Sequence, residues 1–366
     1  MIFLWNCLNF VNIIQFHILA TIKSALWRTK RMKTRKIYYR FASMILAILC
    51  AFVSIPTDGL SGAFTVYAEE TEEEPTLEVD DVYFDAVNGV SYYYYGYSDG
   101  TAKIYNITFA SGAVLDFPSV INTYTVTNIT CTGVASNNSR VSVSAMTLPE
   151  SITYIGESSF AYFDIGILYY NTNATNSGYV VGKIFAESTI SNLVIGDNVE
   201  YIDTWTFDGA KFLFNELTLS VKHIGEHAFR GVWGESNQAT LTLTNKVEQI
   251  DLNAFALNYF STVNYDCGAK TNAWSSQQGI FYHSYISTLN FLENATHVGA
   301  YMFYGAYVSF NELTLSVPSI GEAAFGELWP EDKKCTLTLT ENVTYMEDKA
   351  FMQNNFTTVN YNCNAT

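Results

Sequence analysis

His223-Ile224-Gly225-Glu226-His227 is the stretch of this chain that comes nearest to a reaction centre. Two histidines and a glutamate at H-x-x-E-H spacing can hold a zinc ion and activate its water. That requires a helix presenting both imidazoles on one face and a third ligand from elsewhere. The sequence supplies its own control. NELTLSVKHIGEHAF at 215–229 returns as NELTLSVPSIGEAAF at 311–325, where Ser319 and Ala323 replace the two histidines. The candidate ligands are lost while the apolar and glycine positions are kept, so surface histidines are expected here, with no metal. Cys267, His283 and His297 have no companion Asn or Asp at the spacing a thiol nucleophile needs. The sequence contains no Gly-rich phosphate loop, paired acidic calcium loop or G-x-S-x-G. The expectation is a chain with no catalytic residues and no cofactor.

What remains as a candidate site is a row of residues: Thr147, Val194, Thr218, Thr242, Asn264, Asn290, Thr314 and Thr338. Each is the middle of an alternating triplet: MTL 146–148, LVI 193–195, LTL 217–219, LTL 241–243, VNY 263–265, LNF 289–291, LTL 313–315 and LTL 337–339. Alternation with period two is a half-buried strand, with Leu217 and Leu219 inward and Thr218 outward. A row of small polar side chains on a curved sheet, flanked by Tyr and Trp, makes a broad recognition face. It equally makes a solvated sheet face, and the residues alone leave both readings open. Asn-x-Ser/Thr triplets at Asn106, Asn128, Asn137, Asn173, Asn294, Asn342, Asn355 and Asn364 would accept glycans in a eukaryotic secretory route. Elsewhere they reflect Asn- and Thr-rich strands and turns.

The elements that position this row are set by a phenylalanine ladder. Phe160, Phe185, Phe207, Phe229, Phe255, Phe281, Phe303, Phe325 and Phe351 are spaced 25, 22, 22, 26, 26, 22, 22 and 26 residues apart. Four short repeats thus build a 96-residue super-repeat. Seven of these rungs follow an apolar residue five positions earlier, as in Ile224 and Phe229 or Ile320 and Phe325. A strand of three or four residues cannot stand alone, and a unit of this length with one strand stacks on its neighbours so that the strands pair in parallel. The fold class expected is an all-β to mixed β/short-helix solenoid, a right-handed superhelix carrying a parallel sheet over residues 141–366 in about nine coils. Gly225 and Gly321 are expected to let the backbone turn, with a tight bend or short helical turn on the far side. Residues 82–140, punctuated by Asn88-Gly89, Asp99-Gly100 and Ser111-Gly112, read as an all-β N-terminal cap joined by hairpin turns.

The chain is 49% hydrophobic, with 26 Tyr and 25 Phe among 366 residues, so it has a core to bury. Of 19 basic residues eight precede residue 41, and of 35 acidic residues one precedes Glu69. From Glu69 onward the balance is 11 − 34 = −23. No basic stripe is left to neutralise phosphates, and nucleic acid is excluded as an expected partner. Residues 32–68 have the basic, apolar and small-residue order of a secretory signal peptide, followed by an acidic leader at 69–81. Residues 1–31 read either as sequence upstream of the true start at Met32 or as an extra apolar anchor. No membrane insertion is expected of the chain from Glu69 on. Cys131, Cys267, Cys335 and Cys363 are expected as small buried residues with no disulfide framework, Cys267 and Cys363 again being 96 apart.

The runs SVKHIGEHAF, SVPSIGEAAF, SITYIGESSF and NVEYIDTWTF resemble the V-x-x-I-G-x-x-A-F signature of BspA-type leucine-rich repeats in bacterial and protist surface proteins. The resemblance covers about 145–366. It implies a secreted or cell-surface protein that binds an extracellular protein or glycan, host matrix included, without catalysis. A structural spacer or surface-layer component, or the repeat region of a larger surface enzyme, stands beside that expectation. The family's wall-anchoring and C-terminal domains find no counterpart, and the chain stops at NYNCNAT 360–366, which matches NYDCGAK 264–270 at the start of a coil. It is therefore expected to be a fragment or to lack a capping coil.

Overall fold

The computed structural model describes residues 74–136, 138–176, 183–273, 279–329, 333–363 and 365. The expected signal peptide, the residues upstream of it and residues 69–73 of the expected acidic leader lie outside the described residues. Glu74–Thr366 is one compact unit.

Its first part is an antiparallel meander of Leu77–Asp85, Val90–Tyr97 and Thr101–Thr108. The strand Leu77–Asp85 begins inside the stretch expected to be a solvated leader. Glu78, Asp80 and Asp81 are exposed while the backbone pairs with Val90–Tyr97. In that tyrosine-rich partner Val90, Tyr92 and Tyr94 are buried and the residues between them half-buried, the period-two pattern of a sheet with one covered face. Asn88-Gly89 and Asp99-Gly100 close the two hairpins, with Gly89 and Gly100 at positive φ. Ser111-Gly112 does not close a third. The Gly112 amide donates to Ser142 of the next coil, and Ala113–Asp116 pairs in parallel with Val141–Leu148. Thr101–Thr108 and Tyr124–Ile129 are also parallel. Parallel stacking is thus under way upstream of residue 141.

From there the chain is the solenoid expected from the repeat. All eight expected triplets lie within observed strands, of which Glu216–Leu219, Ala239–Leu243 and Tyr259–Tyr265 pair in parallel, with their triplets in register. A second ladder of two-residue strands carries the apolar residue five before the rung in Tyr201–Ile202, His223–Ile224 and Gln249–Ile250, then in His297–Val298, Ser319–Ile320 and Tyr345–Met346; Lys270–Thr271 extends the first of these runs with Thr271 in the apolar position. The nine ladder phenylalanines form one continuous pile, each ring stacked on the next at 5.1 to 5.6 Å between centroids. Offset stacking of this kind adds about 0.5–1.5 kcal/mol per pair beyond the area buried. Rungs from Phe160 to Phe325 are fully buried.

The far side of each coil is turn, not helix; the only helical segment among the described residues is the 3-10 turn Glu235–Asn237. Gly225 and Gly321 do not make the turn. A Cβ on Gly225 would meet the Thr204 amide nitrogen at 2.6 Å, and one on Gly321 the Ala300 nitrogen at 2.6 Å. Glycine there lets adjacent coils approach backbone to backbone. The turn is made by left-handed residues two positions before and two after the rung, such as His227 and Gly231 around Phe229, or Ala323 and Glu327 around Phe325. Among the described residues, no helix is long and apolar enough to cross a membrane.

Candidate functional site

The outward row is assembled by strand register. Thr218, Thr242, Asn264 and Asn290 are direct partners across four strands, and Thr314 partners Thr338. Register adds three residues that the sequence reading did not include. Tyr169 stands between Thr147 and Val194, Asp116 precedes Thr147, and Asn360 follows Thr338. Tyr169 lies in Phe163–Tyr170, which has Gly166 at its centre. A Cβ there would meet the Ser144 carbonyl oxygen at 2.3 Å, so the glycine serves close strand approach. Asn360 could have been found from the match of NYNCNAT to NYDCGAK.

The row is not one uninterrupted sheet. Pairing lapses between Val194 and Thr218 and again between Asn290 and Thr314. At those steps the parallel ladder continues a few residues upstream, through Thr189–Ile190 with Lys211–Phe212 and Tyr285–Ile286 with Tyr307–Val308. In the second and third segments polar side chains of the row bind one another. Asn264 Nδ2 donates to Thr242 Oγ1 at 3.1 Å, Asn290 Nδ2 to Asn264 Oδ1 at 3.0 Å, and Asn360 Nδ2 to Thr338 Oγ1 at 3.1 Å. Thr218, Thr314, Asn290 and Asn360 remain exposed.

The histidine motif spans a strand and a turn. His223 sits in the two-residue strand, its Nε2 2.8 Å from Asp251 Oδ2, beside the Tyr201 ring. His227 has φ 55° and stacks on Trp205 at 3.9 Å. Its Nδ1 lies 3.3 Å from Glu226 Oε1 without hydrogen-bond geometry, and burial pulls the imidazole down to about 4, aided by the charges of Arg230 and Lys183. A neutral ring against an indole is a packing element. Far from being mere surface decoration, each histidine has a partner of its own. His283 stacks on Tyr282, and His297 Nδ1 is 3.0 Å from Ser319 Oγ. Burial pushes the Cys267 thiol up to about 11, which keeps it protonated and weakly nucleophilic at neutral pH. Cys131, Cys267, Cys335 and Cys363 are all buried and free.

Buried polar clamps join the coils. Asn258 accepts from the amides of Val232 and Trp233 and donates to the carbonyls of Phe229 and Phe255. Asn354, 96 residues on, accepts from Leu328 and Trp329 and donates to Phe325 and Phe351. Trp233 and Trp329 are likewise equivalent, donating Nε1 to Phe214 and Phe310, each at 3.0 Å. Phe-x-x-Asn at 255–258 and 351–354 was the available sequence signal.

A stack of one-strand coils with an apolar pile inside, buried asparagine clamps and a polar row outside defines a leucine-rich-repeat solenoid. The chain belongs to the BspA type leucine rich repeat region family, which it matches in six copies over 118–181, 135–260, 179–309 and 272–366. It is also similar to the crystal structure of the pneumococcal vaccine antigen PcpA, at 17% identity over 74% of this chain and 84% of that one, with a TM-score of 0.29. No curated protein matches it.

Proposed function

We propose that this chain is a secreted or cell-surface repeat protein that binds an extracellular protein or glycan, without catalysis, along the outward polar row of its parallel sheets. The observation that carries this reading is the register of Thr218, Thr242, Asn264 and Asn290, with the amides of Asn264 and Asn290 each bonded to the residue one strand back. Side chains already fixed by such bonds have less rotamer freedom to lose on binding, so many shallow contacts can add up to useful affinity. The absence of basic patches in the sequence keeps nucleic acid out of the reading.

The test is capture on immobilised host-matrix proteins, comparing the wild type with a Thr218→Arg, Thr314→Arg double variant. Both positions are exposed, so the substitution alters the face without touching the core. Capture by the wild type and its loss in the variant are expected. No capture by either, with the fold intact, would favour a spacer that holds another module away from a surface.

A further inference from the structure

Tyr259, Tyr285 and Tyr307 are partners across three consecutive parallel strands. Tyr259 and Tyr285 stack at 4.5 Å and the Tyr307 ring lies tilted against Tyr285 at 4.8 Å, so Tyr285 has a ring neighbour from the strand on either side. The other ring near Tyr307 is His283, at 5.5 Å. His283 and Tyr285 both belong to the coil before Tyr307, so the opposite face of Tyr307 turns toward the coils that follow. There a cavity of about 680 Å³ opens, lined by Tyr307 and His283 on the aromatic side and by Glu327, Lys333, Gln353 and Asn355 elsewhere. The walls are held in place: Asn354 fixes the Leu328 and Trp329 amides, and Lys333 Nζ donates to the Val308 carbonyl at 3.2 Å.

The internal duplication separates frame from wall. In the first block Trp233 and Asn258 match Trp329 and Asn354, so the frame is common to both. Lys211 stands where the second block has Tyr307, Glu187 where it has His283, Gly231 where it has Glu327 and Leu257 where it has Gln353. The aromatic wall and its ring of polar groups are peculiar to the second block.

One aromatic face edged by a carboxylate, an ammonium and two amides matches a ligand with a flat C–H face and hydroxyls around its rim. The volume falls in the range of about 300–1,000 Å³ typical of small-molecule sites. A chain this acidic repels phosphorylated or sulfated ligands. We propose that the cavity beside Tyr307 binds a neutral saccharide of one or two pyranose units, stacked on the Tyr307 ring and hydrogen-bonded by Glu327, Lys333 and Gln353. This site is distinct from the threonine row, and its failure would leave the reading of that row untouched.

Saturation-transfer NMR on the full chain, with lactose, cellobiose, maltose and chitobiose as probes and glucose 6-phosphate as the charged comparison, tests the proposal. Transfer to the pyranose C–H protons of at least one neutral disaccharide is expected. For that sugar Tyr307→Ala and Glu327→Gln should each weaken binding roughly tenfold, the loss of one interaction of about 1.4 kcal/mol. Tyr307→Phe should retain it. Hydrogen exchange at the Phe303 and Phe325 amides reports whether a variant keeps its fold; should Tyr307→Ala lose it, Glu327→Gln at its exposed turn carries the comparison. No transfer from any of the four disaccharides, undiminished binding in the folded variants, or tighter binding of glucose 6-phosphate would each overturn the proposal.

Discussion

Left-handed residues flank almost every rung, and few of them are glycine. Gly209, Gly231 and Gly305 occupy the position two after the rung in their coils, whereas Glu187, Leu257, His283 and Glu327 occupy it in others at φ between 55° and 60°. An L-residue pays about 1–2 kcal/mol for that conformation. Glu187→Gly should therefore stabilise its coil by about 1 kcal/mol, and Gly231→Ala should destabilise by a similar amount. A Cβ on Gly231 has open space, its nearest neighbour being 4.0 Å away, so strain alone is measured there. Denaturant midpoints and local hydrogen exchange check both; a stabilised Gly231→Ala would contradict the assignment of strain. His227 gives a pH-dependent counterpart. Its imidazole is drawn from 6.5 to about 4, first by burial and then by Arg230 and Lys183. The unfolded chain then binds the proton more readily, so this contribution to stability is complete above pH 6.5 and is lost as pH falls toward 4. The loss reaches about 3 kcal/mol at about 1.4 kcal/mol per pH unit. His227→Asn, which tolerates the left-handed backbone, should flatten the stability profile between pH 6.5 and 4 relative to the wild type, as read by denaturation at each pH.

At the scale of the coil, the strands and the phenylalanine pile were legible because both leave periodic marks: alternation of two in Leu217-Thr218-Leu219, and recurrence of 22 to 26 in the rungs. The outward row was legible in part for the same reason, but Asp116, Tyr169 and Asn360 and the two breaks in its pairing were not. What periodicity did not reveal was anything set by close approach between coils. Gly225 and Gly321 look like turn signals, yet each, like Gly166, is there because a neighbouring backbone occupies the space of a Cβ. The buried clamps were missed because a single asparagine among apolar residues carries no period within one coil; only the 96-residue copy exposes it. Asn258 serves two amides and two rung carbonyls with one side chain. Asn258→Leu would leave the Val232 and Trp233 amides and the Phe229 carbonyl dry and unpaired at about 1–3 kcal/mol each before relaxation, while the Phe255 carbonyl keeps the Ser284 hydroxyl. A loss of at least about 3 kcal/mol is expected, with hydrogen exchange of Val232 and Trp233 rising first. A change below about 1 kcal/mol would show that water replaces the clamp.

Across the whole molecule, each coil is held almost wholly by the one before and the one after. The rung stack runs Phe207, Phe229, Phe255, and among the described residues no ring contact skips a coil. The clamps follow the same rule, Asn258 reaching back one coil to Phe229 and no further. Stability in such an array is a sum of local terms and nearest-neighbour interfaces. Phe229→Ala removes a fully buried ring and should cost about 3–5 kcal/mol. The damage should fall on the coils of Phe207 and Phe255, whose rings lose their partner. Residues 320–351, which hold the fourth and fifth rungs beyond Phe229, should keep their amide protection, and the cavity beside Tyr307 should keep its shape. Native-state hydrogen exchange on the variant checks this residue by residue. A uniform drop in protection along the chain would mean that the unit unfolds as one cooperative body, and a ligand bound at one end would then stabilise the other. Local loss means the opposite: the first and second 96-residue blocks can gain or lose binding surfaces separately, which is what the divergence of Lys211 and Tyr307 on a shared Trp and Asn frame requires.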